Sequence, residues 1–195
     1  MGLNVSDVLT LDDVRLGGKV VLYRVDVNSP LEPSSGAFLD DSRLRAIIPT
    51  LRTLQNSKVV MLGHQSRPGK IDFTNMEQHA DRISRLIGKK VKFISDICGD
   101  EAISSIKNLK IGEMLFLDNI RMHDDENSMK KASLEGTAQS EIVRKLSSVI
   151  DVYVTDAFAA SHRNSPSLTG FYDSVPCIAG HLMSKEISNL QIAVN

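Results

Sequence analysis

Five short runs of apolar and β-branched residues punctuate the chain, at 19–27, 58–62, 91–94, 114–117 and 149–154. Each is continuously apolar rather than alternating, the pattern of strands buried on both faces of a parallel sheet. The segments between them repeat apolar residues at helical spacing. Over 41–54, Leu44, Ile47, Ile48, Leu51 and Leu54 share one side, and the acidic pair Asp40-Asp41 stands at the N-terminal end, where it complements the helix dipole. Pro49 falls inside this segment and predicts a kink or break near Ile48. Further helices are predicted over 75–87, ending at Gly88, and over 101–106, 134–149 and 184–194, the last carrying Ile187, Leu190 and Val194. The stretch 29–39, with Pro30, Pro33, Ser34, Ser35 and Gly36, reads as a loop, either a hairpin or a mobile excursion.

Strand and helix alternate, so crossovers join parallel strands. The predicted class is α/β: a three-layer, doubly wound, mostly parallel sheet with helices on both faces, Rossmann-like. The 195 residues, 42% hydrophobic and 24% charged, supply a real core and exclude a disordered, collagenous or coiled-coil chain. The 23 Lys+Arg against 24 Asp+Glu leave a net charge of -1, so no global field draws nucleic acid or an anionic membrane, and anion binding has to be local. No apolar run approaches the roughly 20 residues that span a bilayer and no secretory signal opens the chain, so a cytoplasmic location is expected. Cys98 and Cys177 stand far apart without zinc-ligand spacing, which predicts neither a disulfide framework nor a metal site. With no base near them in sequence, neither is expected to act as a nucleophile. Gly2 with Ser6, and Asn4 to Ser6, match lipidation and glycosylation patterns that are too short to carry weight.

Ligands of open α/β sheets bind beyond the carboxyl ends of the strands, so the residues immediately after each apolar run are the informative ones. After the first comes Asp26-Val27-Asn28, and after the second His64-Gln65-Ser66-Arg67-Pro68. After 114–117 comes Asp118-Asn119-Ile120-Arg121, and after 149–154 comes Asp156-Ala157-Phe158 with His162-Arg163 close behind. Three of these loops deliver an arginine to one edge, and Arg43 near the first helix adds another. Arginine donates paired hydrogen bonds from a planar, permanently charged fork suited to phosphate and carboxylate. His64 and His162 add donors of tunable charge, while Asp26 and Asn28 can orient hydroxyl groups, so the pattern points to a phosphorylated hydroxy acid. A lone arginine after a strand is more often a surface ion-pair partner, but scattered ion pairs have no reason to choose the ligand edge repeatedly. The remaining candidates read as structural. The run Asp124, Asp125, Glu126 lacks calcium-loop spacing and is expected to be solvated, with His123 exposed beside it. His79 and His181 are assigned packing or surface roles, and Met61, Met114, Met122 and Met183 core filling. Neither a Walker A loop nor a GxGxxG fingerprint is present.

The strings RVDVNSP (24–30), DDSRLRAIIPTL (40–51), GHQSRP (63–68), LDNIRMH (117–123) and DVYVTDAFAASHR (151–163) resemble, in order and spacing, the N-terminal domain of phosphoglycerate kinase. The resemblance implies reversible phosphoryl transfer between ATP and 3-phosphoglycerate, giving 1,3-bisphosphoglycerate and MgADP, in glycolysis and gluconeogenesis. It implies that Asp26 and Asn28 meet the hydroxyl and carboxylate end of the substrate. Arg43 stands where an arginine meets that carboxylate and the transferring phosphoryl group, and is the implied catalytic residue. His64, Arg67, Arg121 and Arg163 match the cluster that grips the distant phosphate, with His162 beside them, and Val27, Gln65 and Ser66 lie on the same substrate-binding loops. The family's usual residues are replaced at Ser29, at Gln65-Ser66, at Asp118, Ile120 and Met122, and at Ala159-Ala160-Ser161. No charged ligand is lost. Ser66 replaces a glycine, which permits backbone angles that serine avoids.

The family's second domain holds MgATP or MgADP, so 1–183 is expected to be the phosphoglycerate-binding domain and 184–195 the start of an interdomain helix, with the C-terminal nucleotide-binding domain absent. The expected partners are 3-phosphoglycerate and that domain, with no nucleic acid and no membrane. The chain alone is expected to bind substrate, to bind no cofactor or metal, and to be inactive as a kinase. Two other readings remain open: a stand-alone phosphometabolite-binding module, and a metal-dependent aspartyl phosphatase built on Asp26-Val27-Asn28, in which Asn28 replaces the second carboxylate.

Overall fold

The computed structural model describes residues 8–194; the short pattern matches at Gly2, Asn4 and Ser6, and the side chain of Val194, lie outside the described residues. Six strands, β1 (Val20–Arg24), β2 (Lys58–Leu62), β3 (Val91–Ile94), β4 (Met114–Leu117), β5 (Val152–Thr155) and β6 (Cys177–Ala179), form one sheet in the order β3-β4-β2-β1-β5-β6. Every pairing is parallel. From β1 the chain passes to β2, then to the edge strand β3, comes back between them as β4, and crosses to the other side of β1 for β5 and β6. The strand order therefore reverses beside β1, where doubly wound sheets open a ligand crevice. Arg24 ends β1 at that point, in register with Leu62 of β2 and Thr155 of β5.

Alternate strand residues feed two cores. Val21, Tyr23, Val59, Met61, Phe116 and Val154 pack on one face beneath α1 (Ser42–Ala46), α2 (Ile48–Thr53) and α3 (Glu77–Ile87). Leu22, Val60, Leu62, Leu115, Leu117 and Tyr153 pack on the other with α4 (Asp100–Lys107) and α7 (Glu141–Ser147). Burial on both faces explains why the strand runs carry no polar alternation.

The helix expected over 41–54 breaks at Ile47, which closes α1 and opens α2, leaving Pro49 in the first turn of α2 where its missing N–H costs nothing. Helix α3 ends as expected at Gly88, whose φ of +68° caps it in the left-handed region. The helix expected over 134–149 is instead two, α6 (Leu134–Ala138) and α7. Ser133 and Ser140 each accept a first-turn amide, so local capping overrides a continuous apolar stripe. β1 stops three residues short of the apolar run, since Val25 and Val27 stay in the core after the ladder ends, and β5 begins late because Asp151 is used to bond Val20. β6, a three-residue edge strand, and the short helices α5 (Asp124–Ser128) and α8 (Pro166–Thr169) had no periodic signal. Met122 is exposed rather than core filling. The 29–39 loop closes as a hairpin-like excursion on a Leu31–Phe38 bridge. The terminal helix α9 (His181–Val194) starts three residues earlier than expected.

A buried carboxylate ties α9 to the sheet. Asp156 accepts Tyr23 Oη at 2.5 Å, Thr50 Oγ1 at 2.7 Å and the Met183 amide at 2.9 Å. Its position at the start of α9 also complements the helix dipole. Gly180 makes room for it: a Cβ there would lie 2.2 Å from Asp156 Oδ1. Gly180→Ala is expected to destabilise the protein by about 1–3 kcal/mol through forced displacement of that carboxylate. Urea unfolding checks this, and an unchanged midpoint contradicts it.

Candidate anion-binding site

Arg24 is an anomaly in its own sequence run, a charged residue in a strand buried on both faces, and it is 1% exposed. Each of its three nitrogens has one hydrogen-bond partner. Nη1 donates to the Val25 carbonyl at 2.6 Å, Nε to Ser167 Oγ at 3.1 Å, and Nη2 meets His64 Nδ1 at 3.3 Å. A guanidinium only donates, so Nδ1 accepts and the neutral imidazole carries its proton on Nε2. Burial, then the charges of Arg24, Arg121, Arg163 and Arg43, push His64 down to about 2. His64 is thus an uncharged donor at neutral pH.

Around this pair a cleft of about 340 Å³ is lined by Arg24, His64, Arg121, His162, Arg163 and Lys130, with Glu126, Asn164 and Ser165 completing the wall. Burial, then the neighbouring Arg163 and Arg24, hold Arg121 below its usual value. Among the described residues no ion pair involves Arg24, Arg67, Arg121, Arg163 or Lys130. Glu126 is the acid in the wall, and the expectation that it is solvated is wrong: it is 5% exposed. Its oxygens take up Ser165 Oγ, Ser167 Oγ and the Ser167 amide at 2.8, 2.8 and 3.0 Å, so Ser167 bridges Glu126 to Arg24. The cleft therefore presents four cations, Arg24, Arg121, Arg163 and Lys130, against the single carboxylate of Glu126.

The other expected site residues divide by what they touch. Asp26 pairs with Arg43, and both line a shallower depression with Phe158, Ala159, Leu182 and Glu186. Asn28 Oδ1 accepts the Ser66 amide at 2.6 Å, and Arg121 Nη1 donates to the Ser66 carbonyl. Arg67 is exposed outside the cleft, close enough to Arg121 to act on it electrostatically. Arg163 Nε lies 3.4 Å from His162 Nε2, both exposed at the mouth. The Val27 side chain is buried in the core. The Gln65 side chain is also buried and braces the loops around it: its amide spans the Ser29 backbone, and its Oε1 meets His79 Nε2 at 3.1 Å. Sequence reasoning passed over Arg24, Lys130, Glu126, Asn164 and Ser165 as ligand-edge residues. Only Arg24 carried a signal, as a charged residue flanked on both sides by the apolar residues of its strand run.

Two further groupings carry no comparable chemistry. A larger cleft of about 640 Å³ beside α3 includes Asp41, which is already committed to Arg45 and Arg82. Cys98, for which the sequence offered no neighbouring base, lies 3.5 Å from His123 Nε2. His123 is part-buried rather than exposed, and its Nδ1 accepts the Asp125 amide, which leaves the neutral ring's proton on Nε2 and no lone pair for the thiol proton. Burial also raises Cys98 to about 11. An aspartyl phosphatase centre finds no support: Asp26 is held by Arg43, and among the described residues no group of three or more His, Cys, Asp or Glu is placed to hold a metal.

His64 and His79, the latter pushed by burial to about 4, take up protons in the unfolded chain near the ordinary value of 6.5 but not in the folded one. Below pH 6.5 the unfolded state binds more protons, so stability falls with falling pH, by up to about 1.4 kcal/mol per pH unit per histidine. Urea unfolding between pH 6.5 and 4.5 is expected to show this slope, and His64→Gln to flatten it by about half. An unaltered slope contradicts the assignment.

The model of the family described as phosphoglycerate kinase matches residues 11–195. The phosphoglycerate kinase of Methanothermobacter thermautotrophicus is 44% identical over 187 residues, covering 95% of this chain and 45% of that protein. That of Methanothermus fervidus is 45% identical over 183 residues, covering 93% and 44%. The crystal structure of phosphoglycerate kinase from Pyrococcus horikoshii superimposes with a TM-score of 0.90 at 42% identity, covering 95% of this chain and 45% of that one. The chain thus spans about 45% of the length of the relatives it matches. With the family model matched over residues 11–195 and the parallel sheet superimposed at that TM-score, the chain belongs to the phosphoglycerate kinase family.

Proposed function

We propose that this chain binds 3-phosphoglycerate and, together with nucleotide-binding residues from the remainder of the family's length, transfers the γ-phosphoryl group of MgATP reversibly to its carboxylate. The observation that carries this reading is the cleft in which Arg24, Arg121, Arg163 and Lys130 surround neutral His64 and outnumber its one carboxylate, Glu126. A dianionic phosphate supplies the charge that the cleft lacks, and guanidinium forks match its geometry. The Asp26–Arg43 pair and Asn28 then serve the hydroxyl and carboxylate end. Residues 1–183 are assigned to substrate binding, and 184–195 to the start of the connection to the nucleotide domain; no glycine-rich phosphate cradle occurs in these 195 residues. The setting we assign is cytoplasmic.

The chemistry asks little of a base. A substrate carboxylate is ionised at neutral pH, attacks the γ-phosphorus directly, and releases ADP with no proton to remove. Positioning and charge neutralisation remain, and Arg43 is assigned the developing charge on the transferring group.

Calorimetric titration of the chain with 3-phosphoglycerate is expected to show saturable binding that weakens with salt, with no saturable binding of MgATP and no ATP-dependent turnover in a coupled assay. Arg121→Ala is expected to weaken that binding by about 10- to 100-fold, the worth of a charge-assisted contact. Arg43→Ala, introduced with the nucleotide domain joined on, is expected to lower kcat more than it raises KM. Absent 3-phosphoglycerate binding, or affinity indifferent to Arg121, contradicts the proposal.

A further inference from the structure

Ser66 is the one non-glycine residue among the described residues with positive φ, at +55°. An L side chain in this region crowds its own backbone, and nothing in serine favours it. The loop must be held there from outside. Three bonds do so: Asn28 Oδ1 takes the Ser66 amide at 2.6 Å, the Ser66 carbonyl takes Arg121 Nη1, and Ser66 Oγ donates to Asp72 Oδ1 at 2.6 Å. Asp72 Oδ2 also receives Gln65 Nε2 at 3.5 Å, a marginal bond on the preceding residue. Asp72 is part-buried and in no ion pair among the described residues, and it does not line the basic cleft.

We infer that Asp72 is a positioning residue for the anion site. Its carboxylate fixes the Ser66 hydroxyl, the hydroxyl fixes a left-handed backbone, and that backbone presents the carbonyl that orients the Arg121 guanidinium in the cleft. This rests on the proposed phosphate-binding role of Arg121. A glycine at this position adopts the same φ without help, so the dependence on Asp72 exists only while residue 66 carries a side chain.

The sign of the effect separates this from plain electrostatics. Asp72 is a negative charge near a site for an anion, so its field alone predicts tighter binding when it is removed. Positioning predicts weaker binding. In the 195-residue chain, Asp72→Ala is expected to weaken 3-phosphoglycerate affinity by about tenfold, the scale of the left-handed penalty, and Asp72→Asn, which keeps an acceptor for the hydroxyl, by less. In a Ser66→Gly background, whatever that change does by itself, adding Asp72→Ala is expected to cost about twofold or less. Equal losses in the two backgrounds, or tighter binding on removing Asp72, overturn the inference. The scalar coupling between the Ser66 amide and its Hα, which reports φ, is measured on the same proteins. Should the unmodified chain bind no 3-phosphoglycerate, the functional reading fails, and a Ser66 φ unmoved by Asp72→Ala overturns the positioning claim independently.

Discussion

The site depends on keeping one guanidinium charged inside the protein without an ion-pair partner. Burial of an isolated cation costs several kcal/mol unless its donors are met, and Arg24 meets the cost with neutral acceptors: a backbone carbonyl, a serine hydroxyl and an imidazole nitrogen. Had a carboxylate accepted instead, the charge would have been cancelled where it sits. Hydrogen-bonding Arg24 through Ser167, with Glu126 one step behind, satisfies geometry while leaving positive potential at the strand edge. His64 then has no choice of protonation state, since burial and the surrounding cations exclude a further proton. A neutral protein thus owns a strongly basic crevice.

That arrangement is inherited from the fold. Parallel pairing brings the carboxyl ends of β1, β2, β4 and β5 to one edge, and the reversal of strand order beside β1 opens space there. Each loop leaves its strand at a point where the apolar run stops, so the next residues along the chain are displayed rather than packed. Asp156 shows how closely the site's floor is wired to the opposite core: one carboxylate joins β1, α2 and the first turn of α9. Burial and the Asp156 charge raise Tyr23 well above its usual value, which keeps it a donor to that carboxylate at any physiological pH.

Much of this was legible in the chain. β2, β3 and β4 fall where the apolar runs place them, and the break near Pro49 and the stop at Gly88 follow from backbone chemistry that a sequence states outright. The failures share a cause, that the deciding contacts are non-local or polar. Ser140 caps a helix inside an unbroken apolar stripe, and β6 exists because β5 offers an edge rather than because three residues prefer it. Glu126 reads as one acid in an exposed run, and only residues about forty positions on, Ser165 and Ser167, make it a buried acceptor. Likewise Gln65 and Val27 belong to the right loops, yet their side chains face the bracing network and the core.

Ser66 shows why matching a motif leaves the chemistry of a loop unsettled. Where glycine stands, a left-handed turn costs conformational entropy in the unfolded chain and asks nothing of its neighbours. With serine there, the same turn has to be held by named partners, and those partners become part of the site. Asn28 illustrates the consequence: its side-chain oxygen takes the Ser66 amide, so one of its two lone pairs serves the loop, and a second lone pair and the amide nitrogen are left for a ligand. With serine at position 66, the work of holding Arg121 falls on Asn28, Ser66 and Asp72, of which only the first two stand in a motif that the sequence displays.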